Sequence, residues 1–148
     1  MDDVDYVEHA SALSQVPTAE YNPIECIRTN IHGAENVIKA AIKNEVTRLI
    51  ELSTDKAANP INFYGAKKLA LNKLFVAANN IVGKRETRFA VVRSGKVVGR
   101  GSIVPFFQSL LESGGLPIRD PELTRFWIAL QEGAEFADHF LLGPSIVF

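Results

Sequence analysis

The chain has 148 residues, 47% hydrophobic and 22% charged, a globular composition that allows one domain with a real core and leaves too little length for two large ones. Its 16 Lys and Arg against 17 Asp and Glu leave a formal charge of −1 with no basic cluster, which excludes the electrostatic footprint of a nucleic-acid binder or of a protein held on an acidic membrane. A single cysteine, Cys26, excludes an internal disulfide framework and a multi-cysteine metal cluster, and the three scattered histidines lack metal-ligand spacing. No apolar run is long enough to span a bilayer, and the acidic start Met-Asp-Asp-Val-Asp does not read as a signal peptide. The expectation is a cytoplasmic chain with no metal, no nucleic-acid partner and no membrane insertion.

The pattern predicts alternating elements. A short strand is expected at Val4–His9. Residues 22–44 read as a helix: Asn22 as N-cap, Pro23 in the first turn, Glu25 three residues after the cap, and Ile24, Ile27, Ile31, Ala34, Ile38, Ala41 and Ile42 in one apolar stripe. Thr47–Leu52 reads as a strand, followed by a loop with Asn59-Pro60. Residues 62–82 form a second long helix, with Leu71, Leu74, Phe75, Ala78, Ile81 and Val82 as its stripe and Gly83-Lys84 ending it. Arg88–Arg93 is a compact apolar run typical of a buried strand. Val104–Leu111 is a shorter helix after a glycine-rich turn, Pro117–Pro121 a turn, and Trp127–Leu142 a last helix ended by Gly143-Pro144. Long helices alternating with short apolar strands imply an α/β fold with a parallel sheet. In such a sheet ligands bind beyond the carboxyl ends of the strands, here after Leu52 and after Arg93.

The segment after Leu52 runs Ser53-Thr54-Asp55-Lys56-Ala57-Ala58-Asn59-Pro60-Ile61-Asn62-Phe63-Tyr64-Gly65-Ala66-Lys67-Lys68. Two hydroxyls, a carboxylate and an amine sit at one strand end, and Tyr64 and Lys68 follow at a spacing of one helical turn. An ammonium beside a tyrosine favours the phenolate and lowers the tyrosine pKa. A tyrosine so tuned can take a hydroxyl proton while a nicotinamide takes the hydride. Tyr-x-x-x-Lys alone is often a surface pair, and Asp55-Lys56 alone is a solvated loop ion pair. The position of both at a strand end raises the functional reading.

The stretch STDKAANPINFYGAKKLALNKLFVAANN closely resembles the short-chain dehydrogenase/reductase superfamily, and more narrowly the inverting UDP-N-acetylglucosamine 4,6-dehydratases of polysaccharide biosynthesis. The likeness continues through His9-Ala10-Ser11-Ala12-Leu13, Glu20-Tyr21-Asn22-Pro23, Thr29-Asn30-Ile31-His32-Gly33, Arg88-Phe89-Ala90-Val91-Val92-Arg93, Val104-Pro105-Phe106-Phe107 and Pro121-Glu122-Leu123-Thr124-Arg125-Phe126-Trp127. It covers about residues 4–137 of a single partial dehydratase domain, 1–148.

The resemblance implies a bound NADP or NAD, used and regenerated within one turnover, and a UDP-sugar substrate; it allows a homo-oligomer. Tyr64 would deprotonate the sugar 4-hydroxyl, with Lys68 holding it ionised and bonding the nicotinamide ribose. Thr54 would bond the 4-oxygen, Lys56 remove the C5 proton, and Asp55 protonate the departing 6-hydroxyl. His9, Ala10, Ser11, Asn30, Ser53 and Arg93 would line the cofactor, Asn30 by supporting the lysine. Lys96, Val104, Thr124 and Arg125 would meet the substrate, and Gly95, Gly99 and Gly101 would let its nucleotide approach. Cys26, His32 and His139 are read as packing or solvent-facing residues.

Two departures accompany the resemblance. The family's opening strand, glycine-rich turn and helix, which hold the cofactor pyrophosphate, have no counterpart in these 148 residues, so the expected fold is a partial Rossmann-like parallel sheet lacking the N-terminal glycine-rich βαβ unit. At the substrate loop Ser94 replaces an aromatic residue and Lys96 an asparagine. A C4 epimerase and a non-catalytic remnant stand as alternatives to the dehydratase. The Asp55-Lys56 pair favours elimination, since epimerisation needs no such pair beside Tyr64.

Overall fold

The computed structural model describes residues 1, 3–98, 103–111, 114–116 and 120–143. Strands β1 (Tyr6–His9), β2 (Arg48–Thr54) and β3 (Arg88–Ser94) form a parallel sheet in that order. Tyr6 pairs with Arg48 and His9 with Glu51; Arg48 pairs with Arg88 and Thr54 with Ser94. All three carboxyl ends therefore open at one edge, the arrangement expected of the partial α/β sheet.

Side chains alternate across β2. Leu49 faces Leu71, Phe75 and Ala78 of α4 (Phe63–Ile81) and Ile38 of α3 (Gly33–Lys43), with Phe89 of β3 in the same cluster. Ile50 faces the other way, toward Ala137 and Leu141 of α6 (Leu130–Leu142), joined by Val92. The sheet is thus covered on both faces, which is why β2 and β3 read as near-continuous apolar runs. The Arg48 guanidinium donates to the carbonyls of Leu141 and Gly143, fastening the end of α6 to the start of β2.

Helix α4 is set in place at both ends. Its N-cap Asn62 accepts from the Gly65 N–H at 2.9 Å, and Glu20, from the short helix α1 (Val16–Tyr21), accepts from the Phe63 N–H at 2.8 Å. These carboxamide and carboxylate oxygens meet two of the orphan donors of a helix start. Near the other end the Asn79 carboxamide accepts from the Phe89 N–H at 2.9 Å and donates to the Phe89 carbonyl at 2.8 Å, clipping the helix to β3.

Several elements differ from the sequence expectation. The helix expected over 22–44 begins as α2 (Pro23–Cys26), widens to a π-helical segment at Ile27–His32 and continues as α3. Trp127–Ala129, expected as the start of the last helix, is instead β5, pairing in parallel with β4 (Lys96–Val98). The partner strand holds it extended, and the helix begins only at Leu130, where the Glu132 carboxylate accepts from the Ala129 N–H. Helices α1 and α5 (Ile103–Leu111) complete the described elements. Gly99, Gly101 and part of the Pro117–Pro121 turn lie outside the described residues.

Candidate active site

The site grows from the end of β2. Thr54 accepts from the Lys56 N–H at 3.4 Å and donates to Asp55 Oδ1 at 2.9 Å, so one hydroxyl caps the 3-10 turn Asp55–Ala57 and orients the carboxylate. Ala57, fully buried, anchors the turn. Helix α4 packs directly on it: a Cβ at Gly65 would lie 2.6 Å from the Lys56 carbonyl oxygen. That approach brings Tyr64, one residue earlier, under Lys56, whose Nζ lies 5.3 Å from the Tyr64 ring centroid. Lys67 Nζ lies 5.2 Å from the same centroid. Thr54, Asp55, Lys56 and Tyr64 are therefore gathered at one strand end.

Lys68 is placed differently from the simple expectation for Tyr64 and Lys68. Its ammonium donates to Glu51 Oε1 at 2.7 Å and to the Leu52 carbonyl at 2.9 Å, inside the protein. Tyr64 is correspondingly pushed above its ordinary pKa, by burial first and then by the negative charges of Asp55 and Glu51. The expected lowering by a lysine one turn away is not what this arrangement produces, because a buried carboxylate on the neighbouring strand holds that lysine's charge. The Tyr64 hydroxyl forms no hydrogen bond among the described residues.

His9 ends β1 with Nε2 3.7 Å from Glu51 Oε2 and its ring 5.4 Å from that of Phe75. Burial, and then the Lys68 charge, hold its imidazole below the usual value. Ala10 and Ser11 follow, both exposed beyond the strand end. Asn30 lies on the π-helical segment, and its side chain makes no hydrogen bond to Lys68 among the described residues. Its carboxamide accepts from the Leu13 N–H at 2.8 Å and donates to the Leu13 carbonyl at 3.2 Å, and the lysine that shares this carbonyl is Lys67. Burial pushes the Lys67 ammonium below its ordinary pKa. The Asn30 side chain thus fixes the segment after β1. An extra residue in a helical turn is a common device for aiming such a side chain at a site.

Ser53 and Arg93, at the ends of β2 and β3, are joined through Asn72. In the orientation that satisfies both ends of its amide, Asn72 accepts from Arg93 Nε at 2.9 Å and Nη2 at 3.1 Å, and donates to Ser53 Oγ at 2.8 Å. Arg93 is thereby tied to the scaffold. Lys96, Thr124 and Arg125 form a separate group. The Lys96 N–H donates to the Phe126 carbonyl at 2.7 Å, Lys96 Nζ stands 5.1 Å from the Trp127 ring centroid, and Arg125 donates to the Thr124 carbonyl at 2.8 Å. Gly95 permits this approach, since a Cβ there would lie 2.5 Å from the Phe126 oxygen. Val104 lies in α5. No hydrogen bond or ion pair among the described residues joins Lys96, Thr124 or Arg125 to Tyr64 or Asp55.

Glu51, Lys67 and Asn72 were not anticipated. Glu51 carried a visible signal, as a lone charge in the apolar run Leu49-Ile50-Glu51-Leu52. Lys67 and Asn72 carried none, because nothing in a helical pattern says which polar residue meets a strand end.

A parallel sheet whose middle strand ends in Thr54-Asp55-Lys56 beside a Tyr64-led helix defines an α/β domain of the short-chain dehydrogenase/reductase type. The chain belongs to the family described as polysaccharide biosynthesis protein, which matches residues 1–139. It is 62% identical, over 139 residues, to a UDP-N-acetylglucosamine 4,6-dehydratase (inverting) of Campylobacter jejuni, covering 92% of this chain and 42% of that protein. It is 47% identical, over 137 residues, to a UDP-glucose 4-epimerase of Rickettsia massiliae, covering 91% of this chain and 40% of that protein. Among solved structures, the X-ray structure of Pen from Bacillus thuringiensis superposes with a TM-score of 0.88 at 37% identity, covering 98% of this chain and 45% of that one. The chain thus spans about two-fifths of the length of the curated relatives it matches. No helix among the described residues is long and apolar enough to cross a membrane.

Proposed function

We propose that this chain carries the catalytic segment of a nucleotide-sugar 4,6-dehydratase acting on UDP-N-acetylglucosamine, with inversion at C5, in cytoplasmic polysaccharide or glycan biosynthesis. The observation that carries the reading is the packing of the Thr54-Asp55-Lys56 turn onto Gly65, which sets an acid–base pair beside the Tyr64 phenol. The 62% identity to the Campylobacter enzyme supports it.

The residues fit the nicotinamide and ribose end of an NADP or NAD cofactor. Among the described residues the Tyr64 hydroxyl is unpartnered and two of the three Lys68 N–H donors are engaged, and His9 stands beside Glu51. Tyr64, Lys68, Ser53 and the His9-Ala10-Ser11 segment would hold that end of the group. When bound, it would supply the acceptor for the C4 hydride and the hydride that returns to C6 after water leaves.

Tyr64 takes the proton of the sugar 4-hydroxyl, and Thr54 holds the oxygen. A ketone at C4 acidifies the C5 proton, which the Lys56 amine removes. Asp55 gives a proton to the 6-oxygen, which leaves as water. Lys96, Thr124 and Arg125, on the β4–β5 side, offer two cations and a hydroxyl to the nucleotide.

The test incubates the purified chain with UDP-N-acetylglucosamine and NADP and follows the 4-keto-6-deoxy product by mass spectrometry, with calorimetry for NADP. Product that is lost in Tyr64→Phe, and C5 proton exchange that is lost in Lys56→Ala, are the expected results. A C4-epimerised sugar without loss of water would convert the reading to that of the Rickettsia relative. No product and no NADP binding would overturn it for this chain.

A further inference from the structure

Glu51 is fully buried in the middle strand of the sheet, directly beneath the segment proposed to be catalytic. A buried carboxylate persists only where partners compensate its lost hydration. One oxygen, Oε1, has such a partner in the Lys68 ammonium at 2.7 Å. The other, Oε2, is buried with no hydrogen-bond partner among the described residues, and the group facing it is His9 Nε2 at 3.7 Å. A hydrophobic residue would fill this strand position at less cost, since the flanking Leu49 and Ile50 do so on the two faces of the sheet. The polar choice therefore has its effect through Lys68.

We propose that Glu51 is a positioning residue for Lys68: it holds the ammonium against the end of β2, so that Tyr64 responds to a Glu51–Lys68 pair and not to a free cation. The inference rests on the reading of Tyr64 as the proton-transferring group, and deepens it. The groups around the pair are few. His9 faces it from β1, Val91 stands opposite Glu51 on β3, and Lys68 reaches it from α4, one helical turn after Tyr64. Asp55 and Lys56 reach Tyr64 from the 3-10 turn and Lys67 from α4, while Arg93 is engaged by Asn72. Of these, Glu51 is the group that forms an ion pair with Lys68 among the described residues. The upward pressure that Glu51 exerts on the Tyr64 pKa agrees with this arrangement. The physical consequence is a phenol that stays protonated in the free chain and ionises more readily when the Glu51 charge is removed.

The experiment titrates the chain labelled with 13C at tyrosine Cζ, in which Tyr6 and Tyr21 serve as internal references. In Glu51→Gln, which keeps the shape and removes the charge, the Tyr64 midpoint is expected to fall by on the order of one pH unit, with Tyr6 and Tyr21 unmoved. In Lys68→Met it is expected to rise. In the double variant the Glu51→Gln shift is expected to shrink, since the two act as a unit. An unmoved Tyr64 midpoint in folded Glu51→Gln, or an undiminished shift in the double variant, overturns the proposal. If Glu51→Gln does not fold, Glu51→Asp and the unaltered chain decide. The Lys68 ammonium protons should exchange slowly with water in the unaltered chain and faster in Glu51→Asp, and fast exchange in both overturns the proposal. No readout depends on turnover, so the role of Glu51 is tested even where the chain lacks dehydratase activity.

Discussion

Gly65 lies so close beneath Lys56 that a Cβ on it would stand 2.6 Å from the Lys56 carbonyl oxygen and 3.0 Å from Pro60 Cβ. The obstructing atom is backbone, so it yields only if the whole Asp55–Ala57 turn moves. Gly65→Ala is therefore expected to lower stability by about 1–3 kcal/mol, the usual cost of overpacking, and to separate Lys56 from the Tyr64 ring. A urea midpoint equal to that of the unaltered chain, with the ring-current shifts of the Lys56 side chain retained, would show that the contact relaxes freely.

His9 makes stability depend on pH. Burial and the Lys68 charge hold its native pKa below 6.5. Between that lowered value and 6.5 the unfolded chain binds more protons than the native one, so stability rises with pH across this window and is lost as pH falls through it. Glu51 acts in the opposite sense: burial raises its native pKa above 4.5, so its contribution declines as pH rises from there. His9→Gln removes the first effect and leaves the second. Its urea midpoint should fall less than that of the unaltered chain between about pH 7.5 and about pH 5.5. Equal falls would exclude His9 as the responsible group.

Asn72 holds two strand ends through one carboxamide. Asn72→Leu preserves the volume and leaves the buried Ser53 hydroxyl short of a partner, at a cost of about 1–3 kcal/mol. It also releases Arg93, whose Nε–H should exchange faster with water in nitrogen-detected spectra. Unchanged stability together with an equally protected Arg93 would show that the bridge contributes nothing.

The parts that could be read from the chain are those with local causes. Arg48–Thr54 and Phe63–Ile81 follow from an apolar run and a stripe of matching period, and their order implies the parallel sheet. Thr54, Asp55, Lys56 and Tyr64 could be grouped because strand ends in such sheets face one edge. The rest depends on partners distant in sequence. Trp127–Ala129 is a strand only because Lys96–Val98 lies beside it. Val16–Tyr21 has six residues, too few for a period to show. Lys68 turns from Tyr64 because Glu51, seventeen positions earlier, waits inside the sheet. Asn30 meets Leu13 because a π-helical segment replaces the regular helix the stripe predicts.

The Asn79 carboxamide, with one acceptor and one donor on Phe89, occupies the side of β3 turned away from β2. An open strand edge is a template on which another chain can add. A single side chain that reproduces both bonds of a neighbouring peptide works there as a counterfeit rung, and it hinders lateral addition at Phe89.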